Sequence, residues 1–283
     1  MINCCAENHK RRVKVRNYQA ENLVGILHDA FSKNLVIVCH GFQSSKERIP
    51  MVNLSAALEK NRISAFRFDF AGNGESEGAF QYGNYHREVE DLRAVVQHFR
   101  KEKYVITALV GHSKGGNVVL MYASKYKDVQ IVVNISGRFN LARGMESRLG
   151  QNFIQRIKED GFIDVKNKRG KVVYRVTEES LMDRLSTITH LICLSIPQDC
   201  RVLTVHGSMD ETVPAEDALE FAKFISNHEL RIIEEADHEY SCHQDELACL
   251  VLEFIKFNHD KHQDNSKQTQ FDTIDNKPIR SRF

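Results

Sequence analysis

No run of the 283-residue sequence is apolar for long enough to cross a bilayer as a helix; the longest apolar runs are the length of one strand. Neither sign of charge dominates. Lys and Arg number 39 against 38 Asp and Glu, so no overall field favours nucleic acid or a membrane surface. There is no internal repeat, and the opening MINCCAENHKRR lacks the apolar core of a signal peptide. Ile2 rules out N-myristoylation, and Cys4-Cys5 reads as part of a plain flexible terminus rather than an acylation site. The seven cysteines show no paired metal-ligand spacing. Cys39, Cys193 and Cys249 lie in apolar segments, which points to reduced, buried thiols and a cytoplasmic location. These absences predict no stable membrane insertion, no nucleic-acid partner and no metal. They leave the oligomeric state open.

What the chain has is an apolar content of 42%, enough for one sizeable α/β core, and a charged content of 27%, enough for a soluble surface. Strands are expected at Val13 to Tyr18, Asn22 to His28, Leu35 to Cys39, Ile63 to Phe70, Val105 to Val110 and Val129 to Ile135, then at Arg201 to His206 and Leu230 to Glu234. Helical periodicity lies between most of them: Pro50 to Lys60, Tyr85 to Arg100, Asn117 to Ala123, Ala215 to Ile225 and Asp245 to Phe257. This alternation predicts a mainly parallel sheet covered on both faces. The rhythm breaks from Arg138 to about Leu194. That segment is more polar, with a hairpin from Phe162 to Val165 and Val172 to Val176 and a helix from Glu178 to Leu185. It reads as a cap inserted into the sheet domain. The expected division is therefore 1–137 and 196–258 as the two parts of the core, 138–195 as the cap, and 259–283 as a disordered polar tail.

The stretch Tyr104 to Ser124, YVITALVGHSKGGNVVLMYAS, organises the rest. A buried-strand run leads into Gly111-His112-Ser113-Lys114-Gly115, and a helix follows at once. G-x-S-x-G in strand–turn–helix context is a nucleophile elbow, in which the serine sits on a strained turn and side chains at the glycines would collide with neighbouring backbone. A serine hydroxyl needs a base, a group to orient that base, and donors for the developing oxyanion. All should come from strand ends on the elbow's side of the sheet. His238, in Glu235-Ala236-Asp237-His238 after the last strand, is the candidate base. Asp210, in the loop after the preceding strand, is the candidate acid, with Glu211 and Asp237 as rivals. Asp237 is discounted because a carboxylate adjacent to the imidazole in sequence rarely reaches its Nδ1. The chain order Ser113, Asp210, His238 is the one this elbow requires. The N–H of Lys114 comes with the elbow, and Phe42, with Gln43 next, supplies the second oxyanion donor from the loop His40-Gly41-Phe42.

His40, His112 and His206, each beside a glycine, are expected to fix loops rather than act as bases. Gly72-Asn73-Gly74-Glu75-Ser76 looks like a phosphate loop, but no helix starts at it and no Gly-Lys-Ser/Thr follows. Cys242 and His243 belong to no metal-ligand cluster. Lys166 to Lys171 reads as a solvated turn.

HGF at 40–42, FDFAGNGES at 68–76, GHSKGG at 111–116, HGSMDETVP at 206–214 and ADH at 236–238 occur in the order found in α/β hydrolases. The chain resembles that superfamily from about Val13 to Asn258, less the cap. Within it the chain is similar to the branch of serine-aminopeptidase-like hydrolases, monoacylglycerol-lipase-like enzymes and cinnamoyl or feruloyl esterases. The resemblance implies an α/β-hydrolase fold with a mainly parallel eight-stranded sheet and an inserted cap. It implies a Ser113–His238–Asp210 triad, oxyanion donors Phe42 and Lys114, and no cofactor. The expected function is a serine hydrolase cleaving small-molecule carboxylic esters, of cinnamoyl/feruloyl or acylglycerol type. A non-catalytic or slow-turnover ligand receptor on the same fold is the first alternative, and a peptidase, thioesterase or acyltransferase using the same triad is the second. The cap offers no substrate-binding motif that can be assigned residue by residue.

Overall fold

The computed structural model describes residues 10–275, without the side chains of 262–275. The expectation for Cys4-Cys5 lies outside these residues. Eight strands form the central sheet in the order β1-β2-β4-β3-β5-β6-β9-β10. They are β1 (Lys10–Arg16), β2 (Asn22–His28), β3 (Asn34–Cys39), β4 (Ser64–Phe68), β5 (Val105–His112), β6 (Ile131–Ile135), β9 (Arg201–Gly207) and β10 (His228–Ile233). The first two strands pair antiparallel and β2 meets β4 antiparallel; from β4 onward every pairing is parallel. This is the α/β-hydrolase sheet. Edge strand β1 carries exposed Lys10, Arg11, Arg12, Lys14 and Arg16, which discourage pairing with another chain's edge.

The period of two along β3 sorts its side chains between the two faces. Leu35, Ile37 and Cys39 face a core built with α2 (Tyr85–Lys101), α3 (Lys114–Tyr126) and α8 (Glu216–Phe224). Val36 and Val38 face the opposite core, with Met51, Leu54 and Leu58 of α1 (Ile49–Lys60) and Leu247, Val251 and Phe254 of α9 (Gln244–Asp275). A strand apolar at every position is thus buried on both sides, which holds β3 and β5 at the centre of the sheet.

Between β6 and β9 lie α4 (Met145–Leu149), α5 (Phe153–Asp160), the antiparallel hairpin β7 (Phe162–Lys166) and β8 (Val172–Thr177), α6 (Glu178–Ser186) and α7 (Thr189–Leu194). The stretch from α4 to α6 gathers around its own small core of Met145, Leu149, Phe153, Ile157, Ile163, Val176 and Leu181, closed by Tyr82. Helix α7 behaves differently: its Cys193 belongs to the sheet's main core, and the helix packs on α3 and α8. The residues expected as one cap, 138–195, therefore split between two cores.

Two further readings are corrected. Cys39, Cys193 and Cys200 are buried free thiols, but Cys249 is exposed on α9, because an apolar neighbourhood in sequence still has a solvent side on an amphipathic helix. Helix α9 continues to Asp275, where a disordered tail was expected from His259. Its Gln, Lys and Asp residues carry no penalty as large as that of Gly or Pro, and the stretch to 275 contains neither. Residues 276–283 of that expected tail lie outside the described residues. No helix among the described residues is long and apolar enough to cross a membrane.

Candidate active site

Ser113 sits between the end of β5 and the start of α3 with φ 56° and ψ −120°, a backbone conformation that side chains other than Gly rarely adopt. The turn can be this sharp because its flanks carry no Cβ. A Cβ on Gly111 would lie 2.1 Å from the Gly115 carbonyl oxygen, and one on Gly115 would lie 2.5 Å from that of His40. The Ser113 N–H is tied to the Ile135 carbonyl at 2.7 Å, which pins the turn to the next strand. The hydroxyl is left partly exposed at the carboxyl end of the sheet.

The loop after β9 supplies Asp210. Its Oδ1 accepts the N–H groups of Thr212 at 2.8 Å and Val213 at 2.7 Å, a local turn that leaves the buried Oδ2 for other partners. That oxygen accepts His238 Nδ1–H at 2.6 Å. His238 Nε2 lies 3.0 Å from Ser113 Oγ. Burial alone would raise the Asp210 pKa. Hydrogen bonds from His206, His238 and the Val213 N–H outweigh it and hold the carboxyl well below the usual range, so Asp210 is an anion under the imidazole.

The loop carrying His238 is anchored from beneath. Tyr240 is fully buried; its hydroxyl donates to the Val205 carbonyl at 3.2 Å and lies 2.7 Å from Ser136 Oγ. His112 Nε2–H donates to the His238 carbonyl at 2.8 Å. Burial, then the neighbouring His238 ring 4.9 Å away, push His112 down to about 3, so it is neutral and its donor is fixed. His40 Nδ1–H donates to the Gly41 carbonyl at 2.8 Å, and His206 Nε2–H to that of Val213 at 2.9 Å. All three histidines hold loops. The rival acids are elsewhere: Asp237 accepts the Ser241 N–H at 2.8 Å, and Glu211 is exposed.

The structure thus brings together Ser113, His238 and Asp210 across three strand ends. Phe42 and Lys114 line the same cavity, of about 200 Å³, with Ser113 and His238. Gly41 lets the Phe42 loop approach, since a Cβ there would sit 2.9 Å from Ser113 Cβ. The Phe42 ring meets Phe80, Tyr82 and Tyr174 edge-on, tying this loop to the hairpin. The Lys114 side chain turns away into the protein, where its ammonium contacts Glu88 at 2.7 Å above the Tyr85 ring. Burial lifts Glu88 to about 7 although Lys114 pulls the other way.

Several lining residues were not legible in the sequence, among them Arg138, Arg148 and Arg184. Arg138 follows the Ser136-Gly137 bend at the end of β6, a strand end that could have marked it. Arg148 and Arg184 come from α4 and α6 and follow no pattern. Arg184 is placed by the capping box that starts α6, in which the Ser180 N–H reaches Thr177 Oγ1 at 3.2 Å and the Thr177 N–H reaches Ser180 Oγ at 3.0 Å.

The sheet order and the elbow define the class: this is an α/β hydrolase. The chain belongs to the serine aminopeptidase (S33) family, whose model matches residues 31–180. An uncharacterized protein of Saccharomyces cerevisiae is 27% identical over 229 residues, covering 73% of this chain and 68% of that one. Among solved structures, Est1E from Butyrivibrio proteoclasticus with ferulic acid bound superimposes with a TM-score of 0.76 at 23% identity, covering 87% of this chain and 99% of that one. The Pyrococcus furiosus esterase Pf2001 gives 0.66 at 22% identity, covering 87% and 90%. These structural likenesses speak to the fold.

Proposed function

We propose that the protein is a serine hydrolase that cleaves carboxylic esters through Ser113, His238 and Asp210. The observation that carries this reading is the continuous relay from Asp210 Oδ2 to His238 Nδ1 at 2.6 Å and from His238 Nε2 to Ser113 Oγ at 3.0 Å. His238 takes the Ser113 proton as Oγ attacks the acyl carbon. The oxyanion that forms is held by the N–H groups of Phe42 and Lys114, each contributing on the order of 3 kcal/mol to the transition state. The imidazolium, steadied by Asp210, gives its proton to the leaving alcohol. Water, deprotonated by the same imidazole, then releases the acid from Ser113. The segment from Arg138 through α6 acts as the cap over this cavity, its Tyr174 ring meeting Phe42 edge-on.

Labelling with a fluorophosphonate and turnover of p-nitrophenyl esters test the reading. The intact protein is expected to label and turn over, and Ser113→Ala to lose kcat by about 10⁶-fold. A panel of short-acyl, long-acyl and hydroxycinnamoyl esters, the last motivated by the likeness to Est1E, places the acyl preference. An intact protein that neither labels nor hydrolyses any of them sinks the reading. Ligand-induced stabilisation without turnover is the outcome expected of a receptor.

A further inference from the structure

The cavity beside Ser113 is strongly cationic in a chain whose formal net charge is +1. Arg48, Arg138, Arg148 and Arg184 all line it, against Glu239 as the lining acid among the described residues. Lys114 also lines it but is taken up by Glu88, and nearby Arg143 is paired with Asp217 at 3.0 Å. Among the described residues, no carboxylate forms an ion pair with any of the four lining arginines.

Arg184 is the most telling. It is only 7% exposed, yet its guanidinium bonds to neutral oxygens alone: Nε to the Leu141 carbonyl at 2.8 Å and Nη1 to the Tyr85 hydroxyl at 2.9 Å. Arg138 is half-buried and donates to the Thr212 carbonyl. Burial, then the nearby Arg184, and further Arg148, draw its pKa down. Withdrawing Arg184, and in part Arg138, from water as like charges costs free energy unless a counter-charge arrives, while Arg148 stays exposed beside them.

A second cavity, of about 470 Å³, opens beside the first, and Arg138, Arg148 and Arg184 line both. The three arginines therefore line both spaces, the first of which also holds Ser113. A long acyl chain needs a continuous apolar lining, which these spaces do not offer. Planar guanidiniums with spare donors suit a carboxylate or a phosphate.

Resting on the hydrolase reading, we propose that the substrate is a short ester bearing a compact anion, a carboxylate or phosphate, which Arg138, Arg148 and Arg184 hold while Ser113 attacks the ester carbonyl. The anion has two sources. It belongs either to the acyl part, as in the half-ester of a dicarboxylic acid, or to the alcohol part, as in an acylated glycerol phosphate.

Two measurements test this. In the first, kcat/KM is compared for mono-p-nitrophenyl succinate against p-nitrophenyl butyrate, and for butyryl-glycerol phosphate against butyrylglycerol. One anionic member is expected to exceed its neutral counterpart at least tenfold, and which pair does so identifies the source. Arg138→Gln and Arg148→Gln should each bring that ratio toward one, and added salt should reduce it. In the second, calorimetry on Ser113→Ala compares monomethyl succinate and glycerol phosphate with dimethyl succinate. At least tenfold tighter binding of one anion is expected, weakened by the same arginine substitutions. Neutral and anionic ligands that bind alike, and neutral esters cleaved as fast as anionic ones, overturn the anion site while leaving the hydrolase intact. Anion binding without any ester turnover or fluorophosphonate labelling supports the site and overturns the hydrolase reading instead.

Discussion

Asp210 accepts three hydrogen bonds through its two oxygens and has a fourth polar neighbour in His206. Its Oδ1 is consumed by the Thr212 and Val213 amides, and its Oδ2 faces His238, with His206 Nε2 3.3 Å away. Asp210→Asn keeps the shape but replaces an anion with an amide that favours the wrong imidazole tautomer. Its expected cost is about 10⁴-fold in kcat with a much smaller change in KM. His112 acts one step further out. Its ring contacts the His238 carbonyl and ring and lies 6.5 Å from that of Tyr240, so on the proposed mechanism it positions the base. His112→Ala is expected to lower kcat by roughly tenfold to a hundredfold, as small misplacements of a base do. The steady-state split between kcat and KM checks both. An Asp210→Asn enzyme with wild-type kcat, or a His112→Ala enzyme that loses only KM, contradicts these roles.

At the scale of elements, the elbow works because β5, the turn and α3 are consecutive in sequence, so its identity could be read from Tyr104 to Ser124 alone. The insert is held quite differently. Its helix α6 meets the amino-terminal end of α2 through contacts between residues nearly a hundred apart. The Tyr85 N–H reaches Asp183 Oδ2 at 2.8 Å, and Gly83 lies so near α6 that a Cβ on it would sit 2.0 Å from the Ser180 carbonyl oxygen. Gly83→Ala should therefore push α6 off the core and move Arg184 with it. The expected destabilisation is about 2 kcal/mol, with a loss of any anion preference. Chemical denaturation of the variant measures the first. A fully stable Gly83→Ala protein would show that α6 gives way freely and that its docking does not hold the arginine in place.

At the scale of the whole molecule, the buried carboxyl of Asp91 ties stability to pH. Asp91, on α2, accepts Asn17 Nδ2–H at 2.8 Å and the Ala71 N–H at 2.9 Å, tying the β1–β2 turn and the loop after β4 to one helix. Burial raises it to about 6 although these bonds and Arg87 pull it down. The folded chain therefore keeps this proton up to about pH 6, while the unfolded chain loses it near 3.8. Between those values the folded state binds more protons, so this group's contribution to stability falls as pH rises and is level above 6. The loss is on the order of 3 kcal/mol. Asp91→Asn abolishes that slope. The difference in unfolding free energy between variant and wild type, from urea titrations between pH 4 and 7, should move in the variant's favour as pH rises. A difference constant with pH would contradict the assignment.

The sheet, the elbow and the meeting of Ser113, Asp210 and His238 were legible in the chain. Strand and helix periods, glycine spacing and chain order are local signals, and a parallel sheet forces its strand ends to one side. The sequence did not determine which half of the helical pattern in α9 faces solvent at Cys249, where that helix stops, or that α7 joins the main core. Tertiary structure alone decided the arginines. Arg138, Arg148 and Arg184 come from three separate elements with no shared spacing, and they converge only because the insert folds around Tyr82 and docks on α2. A charge pattern assembled across elements leaves no period in the chain, so the character of the cavity beside Ser113 is a property of the packing.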